Sequence, residues 1–441
     1  MPRLRFQPDW PFTVTNFPFF YGNVIWIFST GGILMSIPGQ TMGMAVFTDH
    51  FIAAFDLTRT QLSIAYLLGT LMSSFFLTRA GRFYDRTGAR ISVVGASVGL
   101  GVFVAFIACI DYLATIVNQM VTLPSVMLTF PLILIGYFGV RFTGQGVLTG
   151  ASRNVLLVWY ERRRGLATGT RGVVATLAYS LAPVFLAFLI TKFGWRGALF
   201  SLALIVGVFF ALLSMVFVRD TPESCGLIPD GGPIGDAPDE IPTYPNSTPA
   251  EAKRSPVFWI YATALAFYSV ISTAIVFHIV SIFAQSGRSA EEAFRYFFPL
   301  AIASVSTSLS ASWLADYLPL KPLLVTMLAM FIVGAAGLLN LATTSGYWVM
   351  VVGLGVTGGL WNVLSNLTFI RFFGRQYLGE ISGMNAAMMV VGSAIGPALF
   401  SVCKDLFGSY DAAIWFSLGL LVIVLAVAVI TPQSEPKPLK S

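Results

Sequence analysis

The amino-acid sequence predicts an all-α membrane protein with 12 transmembrane helices in two groups of six. Of its 441 residues, 56% are hydrophobic and 10% are charged, whereas soluble domains carry about 25% charged residues. A transmembrane helix needs about 20 apolar residues, so twelve helices would need about 240, close to the apolar content of this chain. This composition excludes a soluble enzyme, a disordered protein and a DNA-binding domain.

The predicted helices are apolar runs bounded by charges, glycine or proline. The runs are apolar on all sides and about twice as long as the ten-residue alternating strands of a membrane barrel, so we predict helices. The first six spans cover about 20–48, 60–80, 90–110, 125–159, 165–191 and 196–218. The second six cover about 256–284, 294–315, 320–342, 346–371, 379–402 and 409–431.

A polar segment separates the two groups of spans. Residues 220–255 contain seven prolines and seven acidic residues, a composition typical of a linker. We therefore predict an N-terminal six-helix bundle over residues 1–219, a cytoplasmic linker over 220–255 and a C-terminal six-helix bundle over 256–441.

The distribution of lysine and arginine predicts the orientation in the membrane. Of the 26 basic residues, 17 lie on the predicted loops of one side and six on the other. Cytoplasmic loops carry the excess of basic residues, so we expect both termini in the cytoplasm and the chain in the bacterial inner (plasma) membrane. The same rule accounts for the net charge of +6, so this charge does not indicate a nucleic-acid partner.

A charged, glycine-containing motif follows the second span. Residues 81–90 read GRFYDRTGAR, in which the glycines permit tight turns and the charged side chains can bridge helix ends. The motif resembles the G-x-x-x-D-R-x-G-x-R loop of the major facilitator superfamily, whose fold is two pseudo-symmetric six-helix bundles. The resemblance implies a conformational latch formed by Gly81, Asp85, Arg86, Gly88 and Arg90. The alternative is that any short cytoplasmic loop collects arginine and glycine.

Three further charged residues lie near the predicted cytoplasmic ends of their spans: Arg153, Arg171 and Asp316. Asp316 follows the eighth span, and we interpret residues 314–321 as a decayed repeat of the first loop. Arg153 and Arg171 lie about 10 Å from the predicted cytoplasmic ends of their spans and could extend toward water. We favour a structural role beside Asp85 and include Arg153 in the latch.

The fourth span contains an arginine deep in the membrane. The segment 141–146 reads RFTGQG and resembles the fourth-helix R-x-x-q-G motif of the superfamily, with one extra residue before Gln145. Arg141 lies about 28 Å from the predicted end near Tyr160, too far to reach the cytoplasmic interface. A charge at that depth requires a cavity or a partner. Arg141 is therefore either a functional arginine that faces a cavity or one bound to backbone carbonyls or an outer-side partner.

Four segments narrow the resemblance to one branch of the superfamily. They read WYERRRGLATG at 159–169, GWRGALF at 194–200, GRQYLGEISG at 374–383 and DLFGSYDA at 405–412. They look like the monocarboxylate porter and oxalate–formate exchanger branch, which implies a small organic anion as substrate. The chain departs from that branch in two places, because Ser308 and the pair Met388–Met389 stand where basic residues are expected.

Polar side chains near the expected midplane complete the candidate site. Such groups are costly in hydrocarbon, so they face either a cavity or another helix to which they hydrogen-bond. The candidate substrate-binding residues are Arg141, Gln145, Gln40, Tyr66, Tyr179, Tyr268, Trp361, Asn362 and Ser308. Candidates for coupling to protons are His278 and Asp49, although a lone helical histidine is more often structural.

We predict a secondary active transporter that moves a small organic anion, such as a monocarboxylate, by alternating access with proton symport or exchange (antiport). A carrier of a neutral or amphipathic solute is the alternative, and a non-transporting receptor is a third possibility. The sequence contains no metal-site, nucleophile or phosphate-loop motif, so we predict no enzyme activity, no cofactor and no metal. We expect the lipid bilayer and a small molecule as partners and a functional monomer.

Overall fold

The computed structural model describes residues 7, 8, 10–120, 124–231 and 246–433, and its regular elements in these ranges are helices. Both extreme termini, with Arg3, Arg5, Lys437 and Lys440, lie outside the described residues, as does linker segment 232–245. The predicted all-α membrane fold is confirmed for the described part of the chain.

Ten α-helices of the described chain precede the linker. They are α1 (Gly22–Met35), α2 (Thr41–Ala45), α3 (Thr48–Phe55), α4 (Arg59–Thr87), α5 (Ala89–Ala108), α6 (Ile110–Met120), α7 (Ser125–Val140), α8 (Thr149–Trp159), α9 (Arg164–Leu204) and α10 (Ala211–Phe217). Two π-helical segments, Arg141–Leu148 and Ile205–Phe210, connect α7 to α8 and α9 to α10.

Eight helices lie between residues 246 and 433, and the first of them falls inside the predicted linker 220–255. They are α11 (Pro249–Arg254), α12 (Pro256–Gln285), α13 (Ala290–Arg295), α14 (Phe297–Ala315), α15 (Leu320–Leu339), α16 (Thr344–Phe373), α17 (Leu378–Phe407) and α18 (Asp411–Ile430).

Ten helical segments of the described chain are long and apolar enough to cross a membrane. One of them, Arg164–Phe217, has 54 residues, which at 1.5 Å per residue is more than twice the roughly 30 Å hydrocarbon core. Its helical path is interrupted at Gly194, where φ is 69°. Glycine adopts this left-handed conformation without steric cost, so the segment supplies two spans. The predicted boundary between the fifth and sixth spans lies at this residue.

The first predicted span differs from a continuous helix. Its residues form α1, a 3₁₀ turn over Ile37–Gly39, and the short helices α2 and α3. Proline at position 38 lacks a backbone N–H and disfavours helix in the residue before it, which accounts for the break. Together with the two spans of the long segment, this broken span is consistent with twelve crossings.

The GRFYDRTGAR motif at 81–90 is mostly helical, although the sequence predicted a loop there. Helix α4 continues to Thr87 and α5 begins at Ala89, so the predicted loop is reduced to a turn at Gly88. Gly88 has φ of 89°, and a Cβ there would lie 2.3 Å from the Asp220 carboxylate, so glycine is required. Gly81, Asp85 and Arg86 therefore lie on the last turns of a helix.

The described chain divides into two compact units. Unit 1 comprises Met1–Glu161, Val174–Glu240 and Ser382–Ala387, and unit 2 comprises Arg162–Val173, Ile241–Ile381 and Met388–Ser441. The first turns of α9 are thus counted with unit 2. The predicted bundle boundaries at 219 and 256 stay a prediction.

Each unit has an aromatic core. In unit 1, Phe47, Phe51 and Phe55 are buried in a stack, and the indole of Trp195 packs edge-on against Phe51 and Phe55. In unit 2, the buried Phe258 contacts Phe369 and Phe373. These buried rings hold the helices in place and so position the polar groups described next.

Candidate functional site

The candidate site of unit 1 is built around Arg141, the first residue of a π-helical segment. Its side chain is buried, with 3% of the residue exposed. Nη1 donates to the Gly39 carbonyl at 3.1 Å and lies 3.4 Å from Thr41 Oγ1, and the guanidinium carbon lies 5.2 Å from the centre of the Tyr66 ring. Nε has no hydrogen-bond partner in the described part of the chain. All these partners are neutral, and the described residues place no carboxylate against the guanidinium.

The π-helical segment explains how Arg141 reaches this position. A π-helix takes one more residue per hydrogen-bonded turn than an α-helix, and the sequence has one extra residue between Arg141 and Gln145 compared with the superfamily motif. Gly144 also allows a close approach, since a Cβ on it would lie 2.8 Å from the Gly39 Cα atom. The Gly39 carbonyl can therefore meet the guanidinium.

Tyr66 and Gln40 belong to the same surroundings. The Tyr66 hydroxyl donates to Thr41 Oγ1 at 2.8 Å, and its ring packs edge-on against Tyr137. Gln40 Nε2 donates to Ser36 Oγ at 3.0 Å and to Thr149 Oγ1 at 3.3 Å. These hydroxyl and amide groups form a polar layer beside the arginine.

Two other candidates of unit 1 lie further along the chain. Gln145 is half-buried, and its side chain makes no hydrogen bond to another described residue. Tyr179 is half-buried and interacts electrostatically with Arg153. Arg153 is thus near a tyrosine that sequence reasoning assigned to the substrate site.

The candidates of unit 2 form a hydrogen-bonded chain that ends at a second buried arginine. Asn362 Nδ2 donates to Ser308 Oγ at 2.9 Å, and Asn366 Nδ2 donates to the Asn362 carbonyl at 2.6 Å. Arg171 Nη2 donates to Asn366 Oδ1 at 2.7 Å. Arg171 is 2% exposed, so the expectation that it extends toward water is wrong for this structure. Its participation was missed because an amide partner 195 residues away has no signature in the local sequence.

An aromatic pair lies in the same unit. The rings of Tyr268 and Trp361 stack with centroids 4.9 Å apart and an interplanar angle of 27°. The Trp361 indole N–H donates to the Leu265 carbonyl at 3.2 Å, which fixes the ring. Both side chains are half-buried, so one part of this platform remains accessible.

The two coupling candidates have different surroundings. His278 lies in unit 2 with Nε2 3.0 Å from the Pro397 carbonyl and 3.3 Å from Ser401 Oγ, and Nδ1 is 3.4 Å from the Tyr410 hydroxyl. Asp49 is exposed and forms an ion pair with Arg59 at 2.5 Å. Asp49 therefore lies at a water-accessible surface, whereas His278 is held among neutral polar groups.

Among the predicted latch residues, Arg90 and Asp316 have well-defined contacts. The backbone N–H of Arg90 donates to Asp220 Oδ1 at 2.9 Å, and its side-chain Nε donates to the Val218 carbonyl at 2.6 Å. Asp316 accepts the backbone N–H groups of Gly165 at 2.6 Å and Leu166 at 3.1 Å, in the first turn of α9. Burial raises the pKa of the Asp316 carboxyl, and these two N–H groups oppose that shift.

Comparison with known proteins places the chain among transporters. The family model described as Major Facilitator Superfamily matches residues 19–397. A Thermoproteus tenax protein described as "Uncharacterized 38 kDa protein in 23S RNA operon" is 23% identical over 414 residues, which are 93% of this chain and 92% of that protein.

Two solved structures share the fold. The E. coli fucose:proton symporter FucP is 12% identical with a TM-score of 0.65, over 94% of this chain and 98% of that chain. The human organic anion transporter MFSD10 is 13% identical with a TM-score of 0.60, over 92% and 99%. With the family match over most of the chain, these findings identify it as an integral, multi-pass membrane transporter rather than an enzyme, and the chain belongs to the Major Facilitator Superfamily.

Proposed function

We propose that this protein is a secondary active transporter of a small organic anion, such as a monocarboxylate, and that Arg141 neutralises the substrate charge. The observation that carries the proposal is a buried guanidinium whose partners among the described residues are all neutral. A buried charge without an opposite charge is costly, and an anionic substrate would supply that charge.

The contacts of Arg141 leave donors for a ligand. Its hydrogen bonds to Gly39 and Thr41 use Nη1, and Nε is unused in the described structure. Guanidinium and carboxylate groups form two parallel hydrogen bonds, a geometry that a neutral solute cannot match. Four segments similar to the monocarboxylate porter branch favour the same substrate class.

The conformational change between the inward-open and outward-open states would be driven by the different affinities of the two states for substrate and proton. His278 is the better coupling candidate because it is held among neutral groups, whereas Asp49 is exposed and paired. Symport and exchange both remain compatible with this arrangement.

The direct test measures binding of acetate, lactate and pyruvate to the purified protein by thermal shift. A ligand that binds the folded state raises its apparent melting temperature. Replacing Arg141 by glutamine should weaken carboxylate binding at least about thirtyfold, because it removes the charged partner of a buried pair. Lys192→Gln, an exposed change on the same unit, is the matched control and should bind like the wild type. A carboxylate-induced shift that persists in Arg141→Gln would overturn the proposal.

A carrier of a neutral or amphipathic solute is the second candidate. The stacked Tyr268–Trp361 pair favours it, as does the hydrogen bond between Asn362 and Ser308, where the branch has a basic residue. Under this alternative, Trp361→Ala would abolish the response to a neutral sugar while Arg141→Gln would retain it. Flux into liposomes separates either carrier from a receptor that only binds.

The latch is proposed to control the rate of the conformational change. Asp85 lies on the last turns of α4, next to the turn at Gly88. We expect Asp85→Asn to slow liposome flux strongly while leaving the set of ligands that shift the melting temperature unchanged. Asp405→Asn, an exposed change on α17, is the control, and unchanged turnover in Asp85→Asn would contradict the latch role.

A further inference from the structure

Unit 1 contains an apolar groove that is separate from the Arg141 site. Gly39, Thr41 and Tyr66, which contact the Arg141 guanidinium, do not line it. It has a volume of about 350 Å³ and lies between α4, the N-terminal half of α5 and the π-helical segment after α7. This volume is in the range of pockets that hold small ligands, about 300–1,000 Å³. We call it the Phe76 groove; its lining includes Phe76, Phe83 and Phe142.

The sequence of α4 places one wall of this groove on a single helix face. Arg79, Ala80 and Phe83 lie three, four and seven residues after Phe76, and the four residues line the groove together. Phe76 is 40% exposed and Phe83 is 49% exposed, so their rings are available on the outside of a membrane-spanning helix. Exposed phenylalanine side chains on a membrane-spanning helix are favourable in the hydrocarbon of the bilayer.

The opposite wall is formed by small residues of α5. A Cβ added to Gly95 would meet no heavy atom within 4 Å, which shows that the space above this glycine is open. A larger side chain at this position would therefore extend into the groove without moving the backbone. Ser92, Gly95 and Ala96 line this wall, and none of them has a large side chain to fill the groove.

A cation lies at the edge of the groove. Arg79 is exposed, its guanidinium carbon is 5.7 Å from the centre of the Phe76 ring, and it makes no hydrogen bond or ion pair with another described residue. Arg79 is eight residues before the end of α4, roughly 12 Å along the axis, on the side predicted to be cytoplasmic. Arg86, also exposed, lies seven residues further on the same face.

We propose that the Phe76 groove binds an acyl chain of an anionic phospholipid, with the lipid phosphate at Arg79. A groove on a membrane-spanning surface is filled by lipid, and basic pockets between transmembrane helices favour anionic headgroups. The cation at the edge supplies the charge complementarity, and the three phenylalanine rings supply the apolar contact. Phosphatidylglycerol should bind in preference to phosphatidylcholine, whose headgroup has no net charge.

Native mass spectrometry of the purified protein tests this assignment with the two lipids carrying identical acyl chains. The wild type should retain phosphatidylglycerol more strongly than phosphatidylcholine. Arg79→Gln should reduce this preference about fivefold, the effect of one basic residue near an anionic lipid. Gly95→Leu, which fills the groove, should reduce binding of both lipids at the site.

Two matched controls separate this site from general effects on lipid binding. Arg59→Gln removes an exposed arginine at the other end of α4, and Gly419→Leu adds a side chain at an exposed position of α18 where a Cβ meets nothing within 4 Å. Both should retain wild-type binding. If Gly95→Leu does not fold, Ala80→Phe narrows the groove from the opposite wall and takes its place. Equal retention of the two lipids by the wild type, or wild-type binding in both Arg79→Gln and the folded groove-filling variant, would overturn the proposal.

Discussion

At the scale of single residues, the surroundings of Arg141 account for a charge within the membrane. The Gly39 carbonyl, the Thr41 hydroxyl and the Tyr66 ring each offer partial negative charge to the guanidinium. A cation over an aromatic face gains about 2 kcal/mol when the site is desolvated. These contacts reduce the cost of burial without cancelling the positive charge, so an anion can still be attracted.

Asp316 is an acceptor for backbone N–H groups at the start of α9, which have no partner within the helix. Its two carboxylate oxygens accept from Gly165 and Leu166 in the first turn of α9, in the role of a capping side chain. The capping residue comes from a distant part of the chain, 151 residues away from Gly165. The residue interpreted as a remnant of a loop motif therefore has a structural contact of its own.

The pH dependence of stability should change in Asp316→Asn. Burial raises the pKa of Asp316 in the folded state, so its contribution to stability is present below the ordinary value of about 3.9 and is lost as pH rises through the raised value. Above about pH 4, the apparent melting temperature of the wild type should fall relative to that of Asp316→Asn as the pH rises through the raised pKa of Asp316. A difference between the two melting temperatures that stays constant as the pH rises would contradict the assignment. Asp405→Asn is the exposed control and should follow the wild type.

At the scale of elements, the contact between the 3₁₀ turn Ile37–Gly39 and the π-helical segment sets the position of the candidate site. A Cβ on Gly39 would lie 2.4 Å from the Val140 carbonyl oxygen and 2.7 Å from the Gly144 Cα atom. The two backbones touch with no side chain between them. This contact brings the Gly39 carbonyl to Arg141, so the broken first span is part of the site.

Gly144→Ala should disturb this contact. The added methyl would lie 2.8 Å from backbone at Gly39, and such overpacking typically costs about 1–3 kcal/mol. We expect a lower apparent melting temperature together with weaker carboxylate binding, both measured by thermal shift. Gly150→Ala is the matched control on α8, because a Cβ there meets nothing within 4 Å. Equal behaviour of the two alanine variants would refute the role of the close contact.

At the scale of the whole molecule, the sequence and the described structure agree on a transporter with many membrane crossings. The family match and the helical segments carry this conclusion. The orientation of the chain in the membrane is predicted from the distribution of basic residues between the two sets of loops.

Labelling of single cysteines in intact cells measures the orientation. In a background where Cys109, Cys225 and Cys403 are replaced by serine, the exposed positions 163 and 192 are compared. Lys192→Cys should react with a membrane-impermeant maleimide from outside, and Arg163→Cys should react only after permeabilisation, because basic loops stay in the cytoplasm. The reverse pattern would invert the predicted topology.

The sequence by itself determined the membrane class, the helical nature and the family, because hydropathy and short motifs are local properties of the chain. It also located Arg141, since a charge within an apolar run is visible without a fold. Only the tertiary structure decided which groups meet that arginine, that Arg171 binds Asn366, that Asp316 caps α9 and that Asp49 is exposed. These contacts join residues up to 195 positions apart, and the packing of helices that brings them together depends on three-dimensional register, which no local pattern encodes.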